Sequence, residues 1–263
     1  MLHNPYKIVR MFEEEIAAYT GAPYAISIDS CTNALFLMCK YLEVKEVTIP
    51  SKTYLSVPQS IIHAGGEVIF DKRSETNHWV GAYQLKPYPI WDAAKRLTKD
   101  MYMPGTFMGL SFHIKKILPI WKGGMILTDN AEAADWFKKA RYEGRSEKYY
   151  KDDDITFLGW NMYMTPQQAA HGLAMFQNLA IHNSDQGELN GYRDLTEFTV
   201  FKNNKVIQWT WTEPRLMRFH SIKDDTNGLL DDNHWSERGH QEFAEWFIDC
   251  HNNNNCIDFF KKK

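Results

Sequence analysis

Apolar and polar residues change period along this chain in a regular way. Over residues 6–19, Ile8, Met11, Phe12, Ile16 and Ala17 fall close to helical spacing, which predicts an amphipathic helix. YAISI (24–28) is a short apolar run of the kind a buried strand shows, and Ser30 then opens a helical stretch, TNALFLMCKYL. EVTIP (46–50) predicts a second strand closed by Pro50, and VPQSIIHAG (57–65) a helix. GGEVIF (65–70) is a third strand with glycine in front of it, and YPIWD (88–92), MGLSF (108–112) and GGMILT (123–128) are three more. Residues 131–142, AEAADWFKKARY, form another helix.

Strands alternating with helices at this pace predict an α/β fold, a mostly parallel or mixed sheet covered by helices on both faces. In such sheets ligands sit beyond the carboxyl ends of the strands. Polar residues collect there: after YAISI, after EVTIP and at the end of YPIWD. Around residue 178 the texture changes. IHNSDQGELNGYRD (181–194) reads as loop, KVIQWTWT (205–212) as strand-like, DDTNGLLDDNHW (224–235) as loop and ERGHQEFAEWFIDCH (237–251) as helix. The tail NNNNCIDFFKKK offers Phe259 and Phe260 as docking groups. Two parts are therefore expected, an α/β domain of residues 1–180 and a C-terminal α/β segment, 181–263, of different character. No internal repeat is evident.

Composition narrows the function classes. With 263 residues, 44% hydrophobic and 24% charged, the chain suits a soluble globular protein able to bury a core. A net charge of -3 gives no general reason to expect nucleic acid or an anionic membrane as partner. No stretch approaches the roughly 20 apolar residues that span a bilayer. The first residues, MLHNPYKIVRMFEEEI, lack the apolar core of a signal peptide. Cys31, Cys39, Cys250 and Cys256 show no CxxC spacing and read as small buried apolar groups. A reducing, cytoplasmic setting is the expectation.

Three pieces carry candidate chemistry. SCTNAL (30–35) stands at a strand-to-helix junction, where hydroxyls and backbone N–H groups can hold a phosphate; alone, Ser30 or Thr32 is equally a plain N-cap. Asp92 ends YPIWD, where a carboxylate can pair with a cationic ring nitrogen or cap a helix through AAKRL. SFHIKK (111–116) sets lysines after a strand, and a partly buried lysine can lose its proton and attack a carbonyl.

In order, SCTNAL, IPSKTY (49–54), WDAAKR (91–96), SFHIKK followed by GGMILTDN (123–130), and GWNMYMTPQQAAHGLAMF (159–176) resemble the DegT/DnrJ/StrS family over residues 6–180. The resemblance implies the large domain of a fold-type I transferase dependent on pyridoxal 5'-phosphate (PLP). It implies transfer of an amino group from an amino acid to a nucleotide-linked keto-sugar, in surface-polysaccharide or amino-sugar biosynthesis. By the S-F-x-x-x-K pattern, Lys116 is implied as the internal-aldimine lysine, with Lys115 ranked second. Thr32 and Asn33 are implied in the turn that holds the cofactor phosphate, Ser111 as the cofactor-binding serine of the S-F-x-x-x-K pattern, Asp92 at the pyridinium nitrogen and Tyr54 on the ring face. Asn161 is implied to reach the cofactor phosphate of a neighbouring subunit, hence a homodimer with shared sites.

The departures are as specific. Where the family usually has Gln or His after DAA, near the cofactor's phenolic oxygen, this chain has Lys95. Between FDKR (70–73) and YPIWD only a short bridge stands, where the family has a helix and a further strand. The usual small domain is not recognisable after residue 180. In its place DDNHWSERGHQEFAEWF (231–247), with Asp231 and His234, resembles the last block of SGNH hydrolases but lacks their Gly-Asp-Ser block. Asp231, His234 and His240 are also ordinary metal-ligand types or solvated cap residues. Three readings stay open: a sugar aminotransferase, a degenerate homologue that binds PLP or sugar nucleotide or acts as an assembly partner, and a hydrolase remnant.

Overall fold

A computed structural model of the chain describes residues 6–73, 76–187 and 191–207. The chain divides into two compact units, one of Met1–Leu189 with Asp194–Trp209, the other of Asn190–Arg193 with Thr210–Lys263. The first is the one described. Asp231, His234, His240, the two distal cysteines, Phe259 and Phe260 lie outside the described residues.

The strands and helices predicted up to residue 142 form with small shifts of boundary, while the helix expected over 237–251 and the strand-like stretch past Ile207 lie outside the described residues. Helix α1 runs Lys7–Thr20, strand β1 Tyr24–Ile28, α2 Cys31–Tyr41, β2 Glu46–Pro50, α3 Ser56–His63 and β3 Glu67–Asp71. Then come β4, Tyr83–Leu85, β5, Ile90–Asp92, β6, Phe107–Ser111, β7, Gly124–Thr128, α4, Ala131–Ala140, α5, Pro166–Phe176, and β8, Lys205–Ile207. Strand order is β1-β7-β6-β5-β4 in one sheet and β2-β3-β8 in another. The two meet at Thr48 and Lys86, whose backbones exchange hydrogen bonds of 2.8 and 3.0 Å. The sheet is mixed. β2, β3 and β8 run parallel, as do β5 and β6, whereas β7 is antiparallel to both β1 and β6.

Alternation along the strands sorts side chains into two cores. Ala25, Met108, Leu110, Met125 and Leu127 face α1 and α5, meeting Phe12, Ile16 and Ala169. Ile26, Ile28, Phe107 and Ile126 face the other way, into a core shared with α2, α3 and α4 through Leu35, Met38, Ile61 and Phe137. With both faces covered, β7 is buried along its whole length, which is why it reads as an unbroken apolar run. Close packing also explains two glycines. A Cβ on Gly172 of α5 would stand 2.7 Å from the Phe12 ring of α1, and one on Gly109 of β6 only 3.3 Å from the Cys31 sulfur of α2. α5 is entered through a capping box, Thr165 with Gln168, and Pro166 at its first turn.

The short bridge contains one element that the hydrophobic pattern did not predict. β4 folds back antiparallel on β5, pairing Tyr83 with Asp92. Three residues are too few for periodicity to register. No helix among the described residues is long and apolar enough to cross a membrane.

Candidate active site

Two strand ends and a helix start converge at one edge of the sheet. β5 ends on Asp92, β6 ends on Ser111 and leads into the turn that carries Lys116, and α2 begins at Cys31. Asp92 is 4% exposed. One of its carboxylate oxygens accepts from the Ala94 N–H at 3.0 Å, the other from the Tyr83 hydroxyl at 3.0 Å. Tyr83 in turn shares a 2.6 Å hydrogen bond with Thr53. The AAKRL segment is thus a turn held by Asp92, not a helix. Burial pushes the Asp92 carboxyl above its ordinary range, opposed by those two donors and then by the ammonium groups of Lys116 and Lys95.

Lys116 closes its own turn by donating its N–H to the His113 carbonyl at 2.8 Å. Burial pulls its ammonium below the usual lysine range, against the attraction of Asp92 and then of Cys31. Lys95 is 6% exposed, with Nζ 5.7 Å from the centre of the Trp79 ring. Its proton affinity is lowered by burial first and by Lys116 second, and raised by Asp92. The Cys31 thiol is held well above its usual range, by burial and then by Asp92. One carboxylate, two amines and a thiol therefore share a neighbourhood closed to most solvent.

The start of α2 forms the second wall. Ser30 is its N-cap and accepts from the Asn33 N–H at 3.2 Å, while the Asn33 side chain donates to Asp29 at 2.7 Å. The Thr32 hydroxyl pairs with that of Ser56 at 2.8 Å. This turn is seated directly on β7. A Cβ on Gly124 would lie 2.4 Å from the Cys31 backbone nitrogen, so only glycine admits the contact. Ser111 is half-buried and accepts from the His113 N–H at 3.4 Å. Tyr54 is half-buried against the α2-side core. Asn161 is exposed, and its amide donates to Glu143 at 2.8 Å on the loop after α4. A cavity of about 780 Å³, lined among others by Tyr6, Arg10, Arg145, Tyr150 and Tyr163, shares no residue with the Lys116 neighbourhood.

Four supporting residues were not singled out from the sequence. Thr53 and Tyr83 orient Asp92, and Trp79 packs on Tyr83 with ring centres 4.6 Å apart while donating to the Lys52 carbonyl at 3.0 Å. Gln186 spans both lysine-bearing turns, donating its N–H to the Lys95 carbonyl at 2.8 Å and its side-chain amide to the Lys115 carbonyl at 2.9 Å. Its neighbour Asp185 takes a two-pronged bond from Arg96, at 2.9 and 2.6 Å. The concentration of aromatic residues between positions 79 and 91 was the available signal for Trp79 and Tyr83. Gln186 had none, since it lies in a polar loop.

The model of the DegT/DnrJ/EryC1/StrS aminotransferase family matches residues 1–79 and 99–211. The chain is 27% identical over 235 residues to the spore coat polysaccharide biosynthesis protein SpsC of Bacillus subtilis, covering 70% of this chain and 60% of that one. It is 25% identical over 224 residues to a UDP-4-amino-4,6-dideoxy-N-acetyl-beta-L-altrosamine transaminase of Campylobacter jejuni, covering 69% and 59%. The chain thus matches about three fifths of the length of these curated relatives. Among solved structures, a DegT DnrJ EryC1 StrS aminotransferase from Brucella abortus superposes with a TM-score of 0.63 at 17% identity, covering 76% of this chain and 80% of that one. DesV of S. venezuelae superposes with a TM-score of 0.55 at 20% identity, covering 65% and 57%.

PLP is the cofactor of this family, and the residues present fit it. A buried carboxylate suits a ring nitrogen, a desolvated amine suits an aldehyde, and a capped helix start pressed on Gly124 suits a phosphate. The fold, the order of the motifs and the family match agree: this chain belongs to the DegT/DnrJ/EryC1/StrS aminotransferase family.

Proposed function

We propose that the protein is a PLP-dependent aminotransferase that moves an amino group from an amino acid to a nucleotide-linked keto-sugar, in amino-sugar or surface-polysaccharide biosynthesis. The carrying observation is the buried carboxylate of Asp92 in the field of the partly buried Lys116 at the strand ends, within a chain of this family. When bound, PLP supplies an electron sink for charge developing on a substrate carbon. The chain's own residues do the rest. Lys116 would be the amine that holds the cofactor through its aldehyde, and would carry a proton at substrate carbon. Asp92, oriented by Tyr83 and Ala94, keeps the ring nitrogen protonated. Tyr54 packs on the ring. Thr32, Asn33 and Ser111 hold the phosphate from within the subunit, and Asn161 reaches that of the neighbour in a homodimer with shared sites. The likenesses that support this reading include a polysaccharide biosynthesis protein and a sugar transaminase.

Purified protein should absorb in the visible after addition of PLP, and borohydride should fix the cofactor's mass on the peptide that carries Lys116. Lys116→Ala should abolish both signals. Protein that stays colourless with excess PLP would sink the reading. A second reading is favoured by Lys95, which stands where the family usually has Gln or His: a homologue that binds PLP without turnover. It predicts the colour and the borohydride adduct with no amino transfer from any amino acid.

A further inference from the structure

We propose that Gln186 is a positioning residue: it holds the peptide unit that carries Lys116 and so fixes the direction in which that lysine leaves the backbone. The N–H and C=O of a trans peptide point opposite ways, so a bond at each end locks its plane. In the Lys115–Lys116 peptide both ends are held. The Lys116 N–H donates to the His113 carbonyl at 2.8 Å, and the Lys115 carbonyl accepts from the Gln186 side-chain amide at 2.9 Å. The peptide after Lys95 is pinned in the same manner. There the Arg96 N–H donates to the Ala93 carbonyl at 3.0 Å, and the Lys95 carbonyl accepts from the Gln186 N–H at 2.8 Å. One residue thus closes the turn after β5 and the turn after β6.

The segment that delivers Gln186 is built to stay in place. Residues 180–186 form no helix or strand and are tied down by individual bonds instead. The Ile181 carbonyl accepts from the Lys99 N–H at 3.1 Å. Asn183 bonds the Thr98 hydroxyl through its N–H at 3.2 Å and the Leu97 carbonyl through its side-chain amide at 3.1 Å. Asp185 takes the Arg96 guanidinium at 2.9 and 2.6 Å. Asp185 also fills the space beside Gly81, where an added Cβ would stand 2.2 Å from its carboxyl group, and Gly81 has a φ of +69°. Only glycine meets both demands. These bonds fix the segment to the turn after Asp92, and Gln186 carries the hold across to the turn of Lys116. A lysine amine ends a flexible four-carbon stem, so the region it samples depends on where its backbone aims the stem. A fixed plane keeps that region next to Asp92, whose field Lys116 feels. A swinging plane would spread it and lower the share of productive approaches. This deepens the proposed function and rests on Lys116 as the lysine that holds the cofactor.

The test uses the full chain with Gln186→Ala and Gln186→Glu. The second keeps the size of the side chain and the backbone bond to Lys95, but sets a carboxylate against the Lys115 carbonyl. Hydrogen–deuterium exchange without cofactor, read by mass spectrometry, should quicken about fivefold at the Lys116 amide in both variants, the effect of one lost hydrogen bond. After addition of PLP, the visible band should appear about fivefold more slowly. Affinity for pyridoxine 5'-phosphate, which has the ring and phosphate but no aldehyde, should stay unchanged, as should the unfolding midpoint. A merely structural role would weaken that affinity and lower the midpoint together with the rate, and that result overturns the proposal. Unchanged exchange in Gln186→Glu also overturns it, as does unprotected exchange of the Lys116 amide in the parent, which needs no variant to fold. Borohydride separates the two claims. Cofactor fixed on another residue sinks the proposed role of Lys116, while the exchange rates still decide whether Gln186 holds its peptide.

Discussion

Among the described residues, two of the places where charge is buried are assembled differently. Between α1, β1 and α4, Glu13 and Arg141 are 6% and 8% exposed and form an ion pair. Ser27 completes the group. Its N–H and hydroxyl donate to Glu13 at 2.9 and 2.8 Å, and its carbonyl accepts from Arg141 at 2.6 Å. One cation meets one anion and the remaining polar positions are filled. At the strand ends, Asp92 lies in the field of two amines, Lys116 and Lys95. The matched pair locks three elements together. Burial at the strand ends lowers the proton affinity of Lys95 and Lys116, which favours attack on a carbonyl. The same low-dielectric interior thus serves structure in one place and reactivity in the other.

The contrast can be broken or sharpened in order of effect. Arg141→Met strands Glu13 without its cation and should cost about 3–5 kcal/mol, read as a lowered urea midpoint. A loss under about 1 kcal/mol would class the pair with surface ion pairs and erase the difference. Gly124→Ala forces a methyl against the start of α2 and should cost about 1–3 kcal/mol, with weaker PLP binding by absorbance titration. Unchanged stability and unchanged binding together would refute the tight seat of that turn. Arg96→Met opens the partly exposed bond to Asp185 and should cost only about 0.5–1 kcal/mol. Its sharper sign is faster amide exchange at Gln186, and unchanged exchange would show that Gln186 holds without it.

The smallest effect is a pH slope. Lys95 and Lys116 bind protons less readily folded than unfolded. The unfolded chain therefore carries more protons between their folded midpoints and the ordinary lysine value near about 10.4, and stability rises with pH through that window. Lys95→Met should flatten the rise in denaturation curves taken at stepped pH. An unaltered slope would show that Lys95 titrates as an ordinary lysine.

Much of the fold was legible along the chain because local patterns and tertiary burial agree. The run GGMILT reads as a strand because both its faces are covered, and Ser30 reads as a cap because it is one. β4 was not legible, being three residues long and fixed by pairing with β5. Of the site, Asp92 and Lys116 could be placed by strand ends and motif order. Tyr83, Trp79 and Gln186 could not, since each acts across a long sequence separation through one or two contacts. Cys31, read as a small buried group, is buried, yet it also lies within the field of Asp92 and Lys116.

By itself, the sequence determined the alternation of strands and helices, the edge of the sheet where polar residues gather, and the family. Those are local or ordered along the chain, and hydrophobic period and motif succession express them directly. Only the tertiary structure decided that one carboxylate lies in the field of two lysines, and that a polar loop at residues 185 and 186 clamps their turns together. Charge balance in a buried site depends on which side chains meet after folding, and no spacing along the chain records that.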